Sequence, residues 1–217
     1  MKTYSIILGG GMGIRMKSSI PKCYFKLGTQ TILDRTINIF EKSDLIDHIV
    51  VVVPKGQNVK HKTYKKVFKY VQGGATRGES IANAVAVIPD DDANIIIHDG
   101  CRPFLNPDII KEGLAQLSNS DIVKTVKKPS EEVFCLNKKA IYTRDEYYVL
   151  SSPAFTTLGY IRKLLPFIKK CNCETISAYK TFKNPRVSYV ETNRENIKIT
   201  FPEDLVLARY FSSIINL

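Results

Sequence analysis

The chain is short of metal-binding side chains and short of acid. It carries three histidines, His48, His61 and His98, far apart, and five cysteines, Cys23, Cys101, Cys135, Cys171 and Cys173. The one close pair, Cys171-x-Cys173, lacks the second pair of ligands that a tetrahedral structural zinc needs, so no protein-held metal is expected. Met1–Leu8 is too short for a secretory h-region and runs into a glycine turn, and an odd cysteine set fits reduced thiols in a cytoplasm. No apolar run approaches the roughly 18 residues of a membrane-spanning helix, and no membrane is expected as a partner. Internal repeats and low-complexity tracts are missing too. Acidic residues number 21 against 32 Lys and Arg, a formal charge of +11, which asks for an anionic partner: nucleic acid or a phosphorylated small molecule. The cations are dispersed, and the Lys60–Lys66 and Ile168–Lys170 clusters read as solvated helix faces. A nucleic-acid module would instead need a clustered basic face with stacking aromatics, so nucleic acid is not expected.

What is present is an alternation of strands and helices. Tyr4–Leu8 reads as a buried strand, Ile32–Phe40 as a helix, and the β-branched run His48–Val53, closed by Pro54, as a parallel strand covered on both faces. Phe68–Val71, Asn94–His98 and Val187–Glu191 read as further strands; Ser80–Val87, Pro107–Leu117 and Thr156–Lys169 as helices. The alternation predicts an α/β fold, a Rossmann-like open, mostly parallel sheet with helices on both faces. After Asp121 the pieces shorten, and an antiparallel β-arm is expected at about 121–150, inserted into a single domain spanning 1–217. Near the end, "NIKIT" predicts a short strand carrying Lys198, and Thr200 with Glu203 a capping box, Pro202 lying at the first helical position.

Ser5–Lys22, "SIILGGGMGIRMKSSIPK", carries the strongest chemical signal. Glycines directly after a strand bring backbone close to an anion, and Arg15 and Lys22 add two cations. The Walker pattern G-x-x-x-x-G-K-[ST] is absent, and G-x-G-x-x-G fails at Ile14 when counted from Gly9 and at Met16 from Gly11. What stands is G-G-x-G-x-R-M with Pro21-Lys22 downstream.

That string resembles the signature of the polyol-phosphate cytidylyltransferases, the family of the methylerythritol 4-phosphate and ribitol 5-phosphate enzymes. Three further segments match in order: "GGATRGESIANAV" from Gly73, "HDGCRPF" from His98 and "NIKITFPEDL" from Asn196. The resemblance covers nearly the whole chain and implies a GT-A-like nucleotidyltransferase fold. It implies that Leu8, Gly9, Gly10, Gly11 and Gly13 wrap a CTP triphosphate with Arg15 and Lys22, and that Gly73, Gly74, Arg77 and Ser80 hold the nucleotide. Ser80 also fits a helix N-cap. Asp99 and Arg102 would face the second substrate, a phosphorylated polyol, and Lys198 the α-phosphate. Thr125 and Arg144 would hold the substrate phosphate, reached from the arm of a homodimer partner. Mg2+ would be held mainly through the CTP phosphates. His98 reads as a packing residue.

Ala75 stands where some relatives carry an Asp that contacts the base, and three departures bear on the acceptor: Lys124 replaces an Asp, "YVLSSPAF" replaces A-Q-T-P-Q-x-F, and "TISAYKTF" lacks the acidic D-E-x-S-A. They turn the expectation toward ribitol 5-phosphate, or a similar sugar-alcohol phosphate feeding a cell-surface polymer, with methylerythritol 4-phosphate of isoprenoid synthesis as the alternative. An inactive nucleotide-binding relative or a basic nucleic-acid module are the readings from other classes. The chemistry needs no general base, since an acceptor phosphate with a second pKa of about 6 is largely dianionic at neutral pH.

Overall fold

Seven strands form the central sheet of the computed structural model, which describes residues 1–56, 62–171, 178 and 180–215. In chain order these strands are β1 (Lys2–Leu8), β4 (His48–Val53), β5 (Val67–Gln72), β6 (Ala93–Asp99), β7 (Ile122–Lys127), β10 (Val149–Thr157) and β11 (Val187–Glu191). They lie in the order β11-β7-β10-β6-β1-β4-β5, and every neighbouring pair is parallel except those of β10, which runs antiparallel to both β6 and β7. Two ribbons stand apart: β2 (Lys26–Leu27) with β3 (Gln30–Thr31), and β8 (Val133–Cys135) with β9 (Ala140–Tyr142).

Alternation along each strand sorts the core into two layers. Ile7, Val51, Ile96 and Val123 face α1 (Ile32–Glu41), α3 (Asp108–Leu117) and α5 (Pro202–Ile214), where Phe40, Ile110 and Ala208 meet them. Ile6, Val50, Ile97 and Ile122 face α2 (Arg77–Ala86) and α4 (Leu158–Cys171), where Ile81, Leu164 and Ile168 meet them. Each such side chain contributes about 1.5–3 kcal/mol by leaving water, and this double cover fits a β4 that carries only Ile and Val after His48. Gly78 lets α2 lie directly on α4: a Cβ there would strike the carbonyl of Ile168. The expected α/β architecture is therefore observed.

Several local expectations are corrected. The arm is narrower than 121–150, because β7 and β10 are sheet strands in the middle of the molecule; only 128–148, with the β8–β9 ribbon, stands outside the sheet. The helix containing Ser80 begins three residues earlier, at Arg77, capped by Thr76, whose hydroxyl accepts the Glu79 N–H at 3.1 Å. Ser80 is thus no N-cap. No strand forms around Lys198; the segment is extended coil, tied down where the Ile199 N–H donates to the Cys101 carbonyl at 3.0 Å. The Thr200–Glu203 box is replaced by Asp204, whose carboxylate accepts the N–H groups of Thr200 and Phe201 at 2.7 and 2.9 Å. Cys23, Cys101 and Cys135 are free thiols, while His61, Lys60 and Cys173 lie outside the described residues. No described helix is long and apolar enough to cross a membrane.

Candidate active site

The parallel strands β1, β4, β5 and β6 all end at one edge of the sheet, and the segments that follow them build a cleft of about 560 Å³. In such folds the carboxyl ends of the strands are where ligands bind, because the chain leaves the sheet there and its backbone groups are free to turn outward. Leu8, Gly10, Gly11 and Lys22 come from the end of β1 and the loop beyond it. Gly74, Arg77 and Ser80 follow β5, Asp99 ends β6, and Lys198 arrives from the coil before α5.

The glycine loop is held at its root, where the Gly9 N–H donates to the Val52 carbonyl at 2.9 Å. It then turns at Gly13, whose φ of 70° favours glycine, into a 3-10 turn over Ile14–Met16. The missing Cβ of Gly13 has a second use. A Cβ there would sit 2.8 Å from the Lys22 Cβ, so the Lys22 stem lies along the bare backbone and brings its ammonium to the cleft. Gly9 and Gly13 therefore shape the loop, and Gly10 and Gly11 present it. Arg15 does not line the cleft: it is exposed, with its guanidinium 5.4 Å from the Phe201 ring.

On the opposite wall the Gly73 N–H donates to the Val53 carbonyl at 2.8 Å, so Gly73 continues the sheet rather than facing the cleft. The Gly74 N–H donates to the Ser80 hydroxyl at 3.1 Å, and that hydroxyl donates to the Thr76 carbonyl at 2.9 Å. Ser80 thereby shapes the turn that precedes α2. At Ala75 the backbone N–H is taken by the Glu79 carboxylate at 2.8 Å.

Asp99 is the electrostatic centre. Its carboxylate lies 3.1 Å from Lys198 Nζ, 3.2 Å from Arg102 Nε and 3.7 Å from Arg77 Nε. At 8% exposure, burial alone would raise its pKa; the three cations, Lys198 foremost, outweigh that and hold it well below the usual carboxylate range. Arg102 is partly buried and does not line the cleft, with Nη1 donating to the Asn196 carbonyl at 2.9 Å. Among the described lining residues four cations, Lys22, Lys55, Arg77 and Lys198, face one carboxylate. That excess suits a polyanion such as a triphosphate.

Lys55, Thr76, Cys23 and Cys101 also line the cleft and were not anticipated. Their one sequence signal is position: Lys55 follows the Pro54 that closes β4, and the two cysteines adjoin Lys22 and Arg102. Lys127 was missed as well. Its half-buried amine lies near Arg102, and burial followed by that guanidinium pushes its pKa down to about 8.

Two expected phosphate ligands are not brought to the cleft. Thr125 lies inside β7, fully buried, and its hydroxyl finds no hydrogen-bond partner among the described residues; closed off in this way it cannot hold a substrate phosphate. Arg144 is exposed in the turn after β9 and touches no described part of the cleft. As for metal, no group of three His, Cys, Asp or Glu side chains able to hold an ion occurs among the described residues. Asp99 is the one carboxylate among the lining residues and is already matched by three cations, so the protein's own donors do not make a magnesium site.

Comparison with known proteins gives these segments a common frame. The family model described as IspD, 2-C-methyl-D-erythritol 4-phosphate cytidylyltransferase, matches residues 3–213. The chain is 31% identical over 228 residues to the 2-C-methyl-D-erythritol 4-phosphate cytidylyltransferase of Geobacter metallireducens, covering 97% of both chains. It is 30% identical to the bifunctional ribulose 5-phosphate reductase/CDP-ribitol pyrophosphorylase of Haemophilus influenzae, covering 95% of this chain but only 47% of that protein. Among solved structures, the Francisella tularensis 2-C-methyl-D-erythritol 4-phosphate cytidylyltransferase superposes with a TM-score of 0.77 at 29% identity, over 97% of this chain and 99% of that one. Because the family model spans residues 3–213, and with them the glycine loop, the Asp99 turn and the Lys198 segment, this chain belongs to the IspD family of cytidylyltransferases.

Proposed function

We propose that this protein transfers CMP from CTP to 2-C-methyl-D-erythritol 4-phosphate, releasing pyrophosphate. The observation that carries the transfer is one cleft at the glycine loop that Lys22 lines together with Lys198 and Arg77, the last two held by Asp99. The choice of acceptor rests on relatives named for that polyol that match along their whole length, such as the Geobacter metallireducens protein at 97% coverage.

In this reading the glycine loop receives the triphosphate, and Lys22 stabilises the charge that develops on the departing pyrophosphate. Lys198, aimed by its ion pair with Asp99, holds the α-phosphate while an oxygen of the acceptor phosphate attacks in line. No side chain needs to remove a proton, since the attacking oxygen is already ionised near neutral pH. Arg15 joins the phosphates only by leaving the Phe201 ring. Mg2+, held mainly through the CTP phosphates, would offset part of their charge, and no residue of the protein is assigned to hold it. At the Gly74–Ala75 turn both N–H groups are taken by Ser80 and Glu79, so it is the carbonyls of that turn that would meet the cytosine amine.

The arm supports a homodimer. Phe134, Leu136 and Ile141 on its ribbon are 56%, 78% and 64% exposed, and a second copy would cover them and bring Arg144 toward a neighbouring cleft. Molecular mass in solution tests this, and a monomer at assay concentration would refute it. We place the enzyme in the cytoplasm, where CTP is available.

Ribitol 5-phosphate is the second reading, favoured by the Haemophilus influenzae relative and by the departures at Lys124 and "YVLSSPAF"; "TISAYKTF" begins outside the described residues. Pyrophosphate release, measured with CTP, ATP, GTP and UTP against both polyol phosphates, separates the two. Release with CTP and 2-C-methyl-D-erythritol 4-phosphate alone is expected. Release only with ribitol 5-phosphate would transfer the assignment to the second reading, and none with any pairing would leave an inactive relative.

A further inference from the structure

A chain of buried hydrogen bonds ties Asp99 to Arg102 through two side chains, Ser152 and His98, that do not line the cleft. The Asp99 N–H donates to the Ser152 hydroxyl at 3.0 Å. That hydroxyl lies 2.9 Å from His98 Nδ1, and His98 Nε2 lies 3.1 Å from the Arg102 carbonyl. The direction of every bond follows by elimination. A carbonyl only accepts, so Nε2 carries the hydrogen; in a neutral ring Nδ1 is then bare and accepts the Ser152 O–H. The ring is neutral because it is 0% exposed and burial pushes its pKa down to about 4; the bond to the Arg102 carbonyl and the Asp99 charge oppose this, and the charges of Arg102 and Lys124 add to it.

Ser152 is tied in at its backbone too. Asn196 Nδ2 donates to the Ser152 carbonyl at 2.8 Å, and the Asn196 carbonyl accepts from Arg102 Nη1 at 2.9 Å. Asn196 stands two residues before Lys198. The register of β10 shifts between Leu150 and Ala154, and this irregularity contains Ser152. Main-chain positions of Asp99, Arg102 and the Lys198 segment are thus all referred to one residue of the single antiparallel strand.

We propose that Ser152 and His98 are positioning residues for nucleotidyl transfer: they hold the Asp99 and Arg102 backbone so that the Asp99 carboxylate stands between Arg77 and Lys198. The proposal rests on the transfer reading above. Neither residue touches substrate in it; each acts through Asp99. A misplacement of about 1 Å at a reacting group can cost on the order of 100-fold in rate, whereas loss of one buried hydrogen bond as scaffold alone would lower stability and leave each folded molecule as active as before.

Two measurements test it. The first needs no substrate: 15N NMR of the ring should show His98 protonated at Nε2 and bare at Nδ1, with no titration from pH 8 to pH 5. In Ser152→Ala the Nδ1 resonance should move toward that of an unbonded nitrogen. A ring protonated at Nδ1, or one titrating near pH 6.5, would overturn the bond chain. The second is kinetic, with CTP and 2-C-methyl-D-erythritol 4-phosphate. Ser152→Ala should lose at least tenfold in kcat/KM for the acceptor while the KM for CTP stays within twofold. Where that variant does not fold, His98→Gln carries the same test, since it keeps a donor for the Arg102 carbonyl and removes the acceptor for Ser152. Unchanged kinetics in folded protein with only a lowered Tm, or equal rises in both KM values, would refute positioning. A wild-type protein that transfers CMP to nothing would sink the transfer reading instead, and the NMR signature would still decide the bond chain.

Discussion

Replacing Gly13 by alanine should damage the site in two separable ways. The residue sits at φ 70°, where an L side chain costs about 1–2 kcal/mol. At roughly 2–4 °C per kcal/mol for a chain of this size, that corresponds to a fall in Tm of about 2–8 °C. The new Cβ would also stand 2.8 Å from the Lys22 Cβ, about 0.6 Å inside ordinary contact, with Lys22 Cγ and Cδ close behind at 3.0 and 3.3 Å. The Lys22 stem must move, and its ammonium moves with it, so kcat should fall on the order of 10–100-fold. Gly11→Ala is the control. Its Cβ meets nothing within 4 Å among the described residues, yet Gly11 lines the cleft. Tm should therefore hold, while the KM for CTP rises because the methyl occupies space meant for phosphate. Calorimetry with steady-state pyrophosphate release on both variants gives the answer. A Gly13→Ala protein with wild-type Tm and wild-type kcat would refute the argument that this glycine seats Lys22.

Three further outcomes follow from individual side chains. Lys22→Ala should retain the wild-type melting curve and lose at least about 100–1,000-fold in kcat, the scale for removing one group that stabilises transition-state charge; near-normal turnover would remove Lys22 from the mechanism. Thr125→Val exchanges a buried hydroxyl without a partner among the described residues for a methyl of similar size, so it should be neutral or raise stability by about 1 kcal/mol with activity unchanged. Collapse of turnover in that variant would mean that the hydroxyl does reach substrate. Lys127 has its amine pushed down to about 8 in the folded protein, so folding is opposed wherever the unfolded chain still holds that proton. Stability should rise as pH climbs from about 8 toward the unfolded value near 10.4, and Lys127→Met should raise Tm at pH 7 by a margin that shrinks over that interval. A margin independent of pH would point to packing rather than charge.

Local signals were read well where the physics is local. The run "HIVVVV" needs cover on both faces whatever surrounds it, and glycines after an apolar strand can only be a tight turn. Boundaries fared worse where a neighbour in space decided them. Helix α2 starts at Arg77 because Thr76 finds the Glu79 N–H, although Ser80 looked the better cap. Lys198 lies on no strand, because its coil is held by Cys101 and by Arg102 through Asn196 instead of by a sheet partner. Arg15 was given to the phosphates, and a ring distant in the chain, Phe201, holds it elsewhere.

The sequence by itself determined the chemistry on offer: a glycine loop flanked by cations, a surplus of positive charge and a parallel-sheet pattern. These follow from residue type and from spacings of a few positions, over which backbone geometry is nearly rigid. Only the tertiary structure decided which groups act on which. Asp99 owes its ionised state to Arg77, Arg102 and Lys198, which are far apart in the chain, and Coulomb attraction depends on ångströms rather than on residue count. The same holds for Thr125, whose hydroxyl looks available in a string of letters and is fully buried once β7 becomes a covered strand of the central sheet.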